Sequence, residues 1–521
     1  MLAFSAETRR ADLERMADRQ LDLLVIGGGI IGSGVALDAA SRGLSVGLVE
    51  RDDFAAGTSG RSSRLIHGGV RYLEHYQFDV VHESLRERAI LLRLAPHLIE
   101  PIPIYTPTRT RVQRHFFRLG LVAYDVLAFG RNIGRDRYAG ASEIARAVPG
   151  LGRPRPGVLY HECRTDDARL TLEVARTARA YGALVANHAE VTGLLSSEGR
   201  VQGARVLDGI GGESLDVRAR LTVNAAGVWA EAIQGLATDA PKLLRPSKGV
   251  HLVFRPGAVE TRTGVLVPSV GHDGRFLFVI PWGGRVYAGT TDTAYDGDLE
   301  GPTVTPQDFD YIFDAMQASF PSLTRDDVVA SWAGLRPLLA GGPPPHGGGP
   351  SPTVEESAHH VRARTADLSR KHALYETPPG LLTITGGKLT AFRSMAEDAV
   401  DSACRDLGIR QRSRTRLIAL GFHGDLAVAL EQAQAEAVRL RLPPQAGRRM
   451  VRRFGDDWTE ALERIREDGS LGQPAVDGLP VLRVELDLAR VREMALTDQD
   501  VLVQRTRMTT MNRMVEESAA R

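Results

Sequence analysis

Leu21 to Asp53 reads LDLLVIGGGIIGSGVALDAASRGLSVGLVERDD. Leu21 to Ile26 is a short apolar run of the kind that makes a strand buried on both faces. Gly27, Gly29 and Gly32 follow as G-x-G-x-x-G, Val35 to Ser41 continues as a small-residue helix, and SVGLVE makes a second strand ending at Glu50. The spacing predicts a βαβ unit built for a dinucleotide. Glycines let the backbone turn tightly and approach a pyrophosphate, the helix N-terminus supplies N–H groups and a positive dipole end, and Glu50 can accept from a ribose hydroxyl. The glycine pattern alone is weak evidence. The strand before it, the helix after it and the acid beyond give it the context the motif requires.

Around this unit the chain is long and ordinary in composition. Its 521 residues suggest two or three domains, with 43% hydrophobic and 25% charged residues in the usual globular balance. Sixty-five basic side chains against 64 acidic ones give a net charge of +1, which argues against nucleic acid as a bulk partner. Cys163 and Cys404, about 240 residues apart, offer neither a disulfide framework nor a metal-binding CxxC, so unpaired thiols and a cytosolic setting are expected, with no metal. The N-terminus, MLAFSAETRRADLERMADRQ, has no apolar signal region. No stretch approaches the roughly 18 apolar residues of a membrane span, so any contact with lipid is expected to be peripheral.

The glycine motif does not separate NAD from FAD; two later segments bear on the choice. RLTVNAAGVWA, Arg220 to Ala230, is a strand running into small residues, where the backbone at Ala226 and Gly227 can pass close to a cofactor. LLTITGGKLTAFRSMAEDAVDSA, Leu381 to Ala403, is a strand, a Gly386-Gly387 turn and a helix with apolar Phe392, Met395, Ala399 and Val400. The start of that helix, through Gly387, Lys388, Leu389 and Thr390, could bring N–H groups and a dipole to a flavin ring and stabilise its anionic reduced form. An ordinary strand-turn-helix connection is the alternative. Helices are also expected over Asp79 to Leu94 and Asp167 to Tyr181, and a meander of strands over HLVFR, GVLVPSV, RFLFVIPW and RVYAGT between Val250 and Thr291. Ala340 to Ser357, rich in Pro and Gly, reads as a long loop. Beyond Ala403 the chain turns helical, and its charge runs, RQRSRTR among them, are expected to be solvated faces.

The order of these pieces carries a resemblance. The opening motif, SSRLIHGGVRYLEHYQFDVVHESLRERAILLRLAPHL, DDARLTLEVARTARAYGA, TVNAAGVWA, KGVHLVF, FVIPWGGRVYAGTTDT, GLRPLL and TGGKLTAFRSMAEDA resemble FAD-dependent, quinone-linked glycerol-3-phosphate dehydrogenases from about Leu21 to Ala403. SSRLIHGGVRYLEHY and GGKLTAFR together are the specific part. The resemblance implies an α/β flavoprotein: a glutathione-reductase-like, Rossmann-type FAD domain (residues 1–100, 155–240 and 365–402), an interleaved antiparallel-sheet substrate domain (101–154 and 241–364) and a C-terminal helical domain (403–521). It further implies oxidation of sn-glycerol 3-phosphate to dihydroxyacetone phosphate, electrons passed to membrane quinone, a homodimer, and a place on the cytoplasmic face of the cell membrane.

Such a reaction needs a base for the hydroxyl proton and a clamp for the phosphate. His67, on an HGG turn, is the first choice for the base because imidazole titrates near neutrality, with His251 in KGVHLVF as its competitor. Arginine's planar fork suits a phosphate. The resemblance supports Arg71 with Tyr72, Arg336 in GLRPL, Lys388, and Arg370 in LSRKHALYE; a structural ion pair is the alternative for Arg336. It also places Thr58, Ser59, Ser62 and Ser63 against FAD. In Arg109 to Arg135, arginines flank Phe116, Phe117, Leu119, Leu121 and Val122. That segment could lie among lipid headgroups or pack as a core helix with a solvated face; the respiratory role that the resemblance implies favours the bilayer. An oxidase using dioxygen and a non-catalytic flavin-binding sensor remain the rival functions.

Overall fold

The computed structural model describes residues 4–69, 78–238, 244–270, 274–339 and 372–512. Leu21–Ile26 is the expected buried strand. It pairs in parallel with Val46–Val49 on one side and Ser214–Asn224 on the other. Leu184–Ala186 and Leu381–Gly386 extend the parallel ladder, and His372–Glu376 closes one edge antiparallel. Parallel neighbours need long crossovers, which is why this sheet gathers strands from the beginning, middle and later part of the chain. Leu23, Val25 and Leu48 face a layer formed by the helices Ile30–Ser41, Asp167–Ala180 and Phe392–Leu407, while Leu24, Ile26 and Val49 face Leu13 and Met16 of the helix Ala6–Ala17. The small residues of the first helix have a packing reason: a Cβ on Gly34 would press on Phe392 and Ala396.

A second, larger sheet stands beside the first. Its strands run Thr293–Ala294, Leu244–Phe254, Arg285–Gly289, Phe276–Trp282, Gly264–Pro268, Glu100–Pro107, Gly157–Arg164 and Leu65–Ile66, with Val328–Leu339 also on Leu244–Phe254. The expected meander is therefore only partly realised. Gly264–Pro268, Phe276–Trp282 and Arg285–Gly289 pair in sequence, but Leu244–Phe254 lies between Arg285–Gly289 and Val328–Leu339. Nor does the second sheet begin at residue 101 and pause at 154. Leu65–Ile66 and Gly157–Arg164 belong to it, because Gly157–Arg164 pairs along its whole length with Glu100–Pro107. The strands of the two sheets are thus interleaved along the chain more finely than the expected boundaries suggested. Among the described residues, no helix is long and apolar enough to cross a membrane.

The C-terminal part is helical, as expected. Leu426–Arg439, Ala446–Phe454, Trp458–Glu467 and Arg483–Arg492 close their own core on Ala433, Met450, Phe454, Leu462 and Leu488. Its arginines depart from the expectation of solvated faces. The RQRSRTR arginines are exposed, but Arg505 and Arg507 are 1% and 2% exposed and dock on the part of the chain that carries the first sheet. Arg505 pairs with Asp53, three residues beyond Glu50, and Arg507 with Asp166 and Asp167. Arg169, on the helix Asp167–Ala180, pairs in return with Glu493. Burial works against Glu493, yet Arg169 and Arg453 reverse it and hold the carboxyl down at about 2. Periodicity cannot distinguish such arginines from surface ones, since their partners lie hundreds of residues away. The two cysteines are free and buried; burial pushes the Cys163 thiol up to about 12, which keeps it unreactive near neutrality.

Candidate active site

The two sheets meet around a cleft of about 460 Å³. At one end, Gly27 leaves its strand at φ +109°, a left-handed conformation, and donates to Val49 O at 2.8 Å. Gly27 and Gly29 line the cleft; Gly32 does not, because it lies one helical turn in, where a Cβ would overlap the Gly27 carbonyl. Its smallness sets how closely helix and turn approach. Glu50 reaches across from the second strand, accepting from Gly28 N (2.6 Å) and Asp52 N (2.9 Å). Burial pushes its carboxyl up to about 7 despite these donors.

The hydroxyls expected to approach the cofactor are each engaged by the protein. Thr58 donates to Leu335 O at 2.7 Å, and Ser59 accepts from Ile30 N at 2.9 Å, capping the helix start. Ser62 donates to Asp167 at 2.7 Å, and the Ser63 hydroxyl lies 3.0 Å from His251 Nε2. Thr390 is buried and does not line the cleft. Its hydroxyl accepts from His67 N and donates to His67 O, both at 3.2 Å, locking the HGG turn to the second helix start. Thr58, Ser59, Ser62 and Ser63 nevertheless line the cleft, held at its wall by these contacts.

At the other end lie His67, His251, Arg336, Gly387, Lys388 and Leu389. Gly386 and Gly387 both have φ near +80°, and a Cβ on Gly387 would overlap the Met395 sulfur, so this turn demands glycine twice. A short 3-10 turn, Leu389–Ala391, precedes the helix Phe392–Leu407. His251 is buried and stacked on Trp332 with centroids 4.5 Å apart. Burial, then Arg336 and Arg64, hold it well below the ordinary imidazole range, so it is neutral. His67 is the more accessible of the two histidines. Arg336 projects from Val328–Leu339, donating to Thr290 Oγ1 (3.1 Å) and Thr291 O (3.2 Å), with Asp292 at 3.6 Å. It thus has the anionic partner that a structural arginine would have, and it still lines the cleft. Lys388 Nζ lies 3.4 Å from Ser84 Oγ. Arg71, Tyr72 and Arg370, like the loop 340–357, lie outside the described residues.

The lining includes residues that motif reading did not single out. Arg51 stacks over Trp229, 5.0 Å to the ring centroid, and the indole N–H of Trp229 is buried without an acceptor among the described residues. Arg61 also lines the cleft, and its carbonyl leaves no room for a Cβ on Gly334. Its place directly before Ser62 was the only signal available in sequence. The residues fit FAD. A glycine turn, an acid across from it, an unsatisfied indole donor and a second helix start follow one another along a single cleft, as an extended dinucleotide requires.

Comparison with known proteins agrees. Residues 22–393 match the family model described as FAD dependent oxidoreductase, and residues 414–521 the C-terminal domain of alpha-glycerophosphate oxidase. Glycerol-3-phosphate dehydrogenase 2 of Mycobacterium tuberculosis is 38% identical over 515 residues, covering 97% of this chain and 84% of the relative. Alpha-glycerophosphate oxidase of Streptococcus pneumoniae is 36% identical over 445 residues, covering 77% of this chain and 73% of the oxidase. Among solved structures, the glycerol-3-phosphate dehydrogenase of Bacillus halodurans complexed with FAD superposes with a TM-score of 0.78 at 32% identity, covering 99% of this chain and 92% of that one. With both the cleft and the whole length of the chain accounted for in this way, the protein belongs to the FAD-dependent glycerol-3-phosphate dehydrogenase and oxidase family.

Proposed function

We propose that the protein oxidises sn-glycerol 3-phosphate to dihydroxyacetone phosphate and passes the electrons to a membrane quinone. The observation that carries this reading is the gathering of His67, His251, Arg336 and Lys388 at one end of the FAD cleft, in a chain related over nearly its full length to glycerol-3-phosphate dehydrogenases. FAD held along the cleft between the Gly27 turn and the Gly386–Gly387 turn would supply the acceptor for the hydride leaving carbon 2. His67 accepts the hydroxyl proton, held by Thr390 at both its backbone N–H and C=O. His251, kept neutral, orients Ser63 and the wall of the site. Arg336, fixed by Thr290, Thr291 and Asp292, supplies positive charge to the reacting oxygen or the phosphate, with Lys388, Arg71, Tyr72 and Arg370 completing the clamp. Glu50 takes the ribose hydroxyls.

A second reading, an oxidase using dioxygen, is favoured by the match of residues 414–521 to the oxidase C-terminal domain. One experiment separates these readings. Purified holoprotein is mixed anaerobically with glycerol 3-phosphate; unbleached flavin would sink the substrate assignment and leave another substrate or a sensor. Bleached flavin is then offered quinone or air. Fast recovery with quinone and slow recovery in air supports the dehydrogenase, while fast recovery in air with peroxide makes it an oxidase.

Peripheral attachment to the membrane is supported by the helix Arg111–Leu127. Leu121 and Tyr124 are buried on one face, whereas Val112, Phe116, Leu119 and Val126 are 65–80% exposed on another, beside Arg111, Arg114 and Arg118. The Phe116→Asp/Leu119→Asp variant should bind anionic lipid vesicles at least about tenfold more weakly and still be reduced normally by glycerol 3-phosphate. Unchanged sedimentation with vesicles would place the contact elsewhere.

The acid at the glycine turn makes the apoprotein sensitive to pH. A carboxyl raised to about 7 is largely protonated at pH 6, and a ribose hydroxyl donates more strongly to the charged form. FAD affinity should therefore rise between pH 6 and 8, by up to about tenfold, with proton release on binding. In Glu50→Gln the slope should flatten; the same slope in the variant would assign it to another group. Without FAD the sign reverses: a folded pKa above the unfolded one makes Glu50 a drain on stability as pH climbs from 4.5 through 7.

A further inference from the structure

A second cavity, of about 790 Å³, opens where the helix Ala446–Phe454 faces the second sheet, and nothing in the proposed reaction uses it. Its walls are crowded with arginine. Eight arginines line it against two carboxylates, Glu100 and Asp166, and both acids are already engaged, Glu100 by Arg164 at 2.8 Å and Asp166 by Arg507 at 3.3 Å. Arg285, Arg448 and Arg452 make no ion pair among the described residues. Arg285 is 7% exposed; one terminal nitrogen donates to Gly478 O at 3.3 Å, and its Nε has no acceptor among the described residues.

Arg64 is the most exceptional of the eight. It is 1% exposed, and none of its three guanidinium nitrogens has a hydrogen-bond partner among the described residues. Its carboxylate neighbours Asp167, 4.0 Å away, and Asp166 are both held by Arg507. The guanidinium lies between the indoles of Trp282, 3.7 Å to the centroid, and Trp332, at 4.8 Å. Aromatic faces hold the fork flat but accept none of its donors. A buried cation left in this state is costly unless an anion completes it. Several planar forks around one cavity suit an anion with more than one acidic group, since each fork can take two oxygens.

We propose that this cavity is a second ligand site, for a soluble polyanion carrying two or more phosphate or carboxylate groups, bound by Arg64, Arg285, Arg448 and Arg452. The site is separate from the FAD cleft, but Trp332 stacks on both Arg64 and His251, so its occupant sits one indole away from the candidate active site. This inference stands whatever the electron acceptor is.

Calorimetric titration of the holoprotein, in phosphate-free buffer, with pyrophosphate and separately with citrate tests it and tells a phosphate ligand from a carboxylate one. At least one of them should bind. The Arg285→Gln/Arg448→Gln variant should weaken that binding at least tenfold while its flavin is still bleached by glycerol 3-phosphate; Arg448 is exposed, and Arg448→Gln alone, which leaves the fold untouched, should weaken it severalfold. Arg336→Lys, in the other cleft, should leave it unchanged. Three results would each overturn the proposal: no binding of either anion at millimolar concentration, binding lost in Arg336→Lys but kept in the cavity variant, or binding that appears only after residues 513–521 are removed, which would make the chain's own Glu516 and Glu517 the occupants.

Discussion

Arg336→Lys is expected to lower kcat/KM for glycerol 3-phosphate by about 100- to 1,000-fold, or about 3–4 kcal/mol of transition-state binding, the usual cost of losing one preorganised donor. Lysine keeps the charge but not the fork. The arginine uses one edge of its guanidinium on Thr290, Thr291 and Asp292, and a point charge cannot hold those partners and also present two donors to an anion. Stopped-flow reduction of the flavin gives the rate, and thermal unfolding gives the control. If the arginine serves the ion pair with Asp292 alone, the melting temperature should fall and kcat/KM should stay near normal. If it serves the reaction, the opposite pattern is expected.

The second large effect concerns stability. Arg505→Leu should cost about 3–5 kcal/mol, because it strands the carboxylate of Asp53 in the interior beneath the FAD cleft. Both Asp53 oxygens are held by Arg505, and Asn187 Nδ2 donates to one of them at 2.9 Å. Burial already raises the Asp53 carboxyl above its ordinary value even with the arginine in place, so without it the group should take up a proton. The sign follows: the loss in the variant should be larger at pH 8, where ionisation is forced, and smaller at pH 5. Asp53→Leu/Arg505→Leu should recover much of the stability, since two apolar residues replace a pair that is costly to bury. Urea unfolding followed by flavin fluorescence measures all three proteins. A loss below 1 kcal/mol at pH 8 would mean that the C-terminal part is not fastened there.

Much of the candidate site was legible because its demands are local. Gly27, Gly386 and Gly387 occupy backbone conformations that side chains resist, and their surroundings can be read from the strands and helices on either side. For the hydroxyls at Thr58, Ser59, Ser62 and Ser63, which line the cleft, and at Thr390, which does not, the protein partners were not legible. Their presence in a conspicuous motif pointed toward the cofactor, yet each is engaged by a residue distant in sequence, such as Asp167, Leu335 or His251. A hydroxyl looks the same in sequence whether it holds a ligand or a loop.

The amino-acid sequence by itself determined the FAD fold, the glycine turns, the acid at Glu50 and the family, because strand and helix periods and backbone demands are properties of neighbours along the chain. Only the tertiary structure decided the interleaving of Gly157–Arg164 with Glu100–Pro107, the neutrality of His251, the anchoring of Arg336 to Asp292, and the burial of Arg64, Arg505 and Arg507. Each of these depends on what is brought within a few ångströms from far along the chain. Desolvation and charge pairing act over that distance, whatever the separation in sequence.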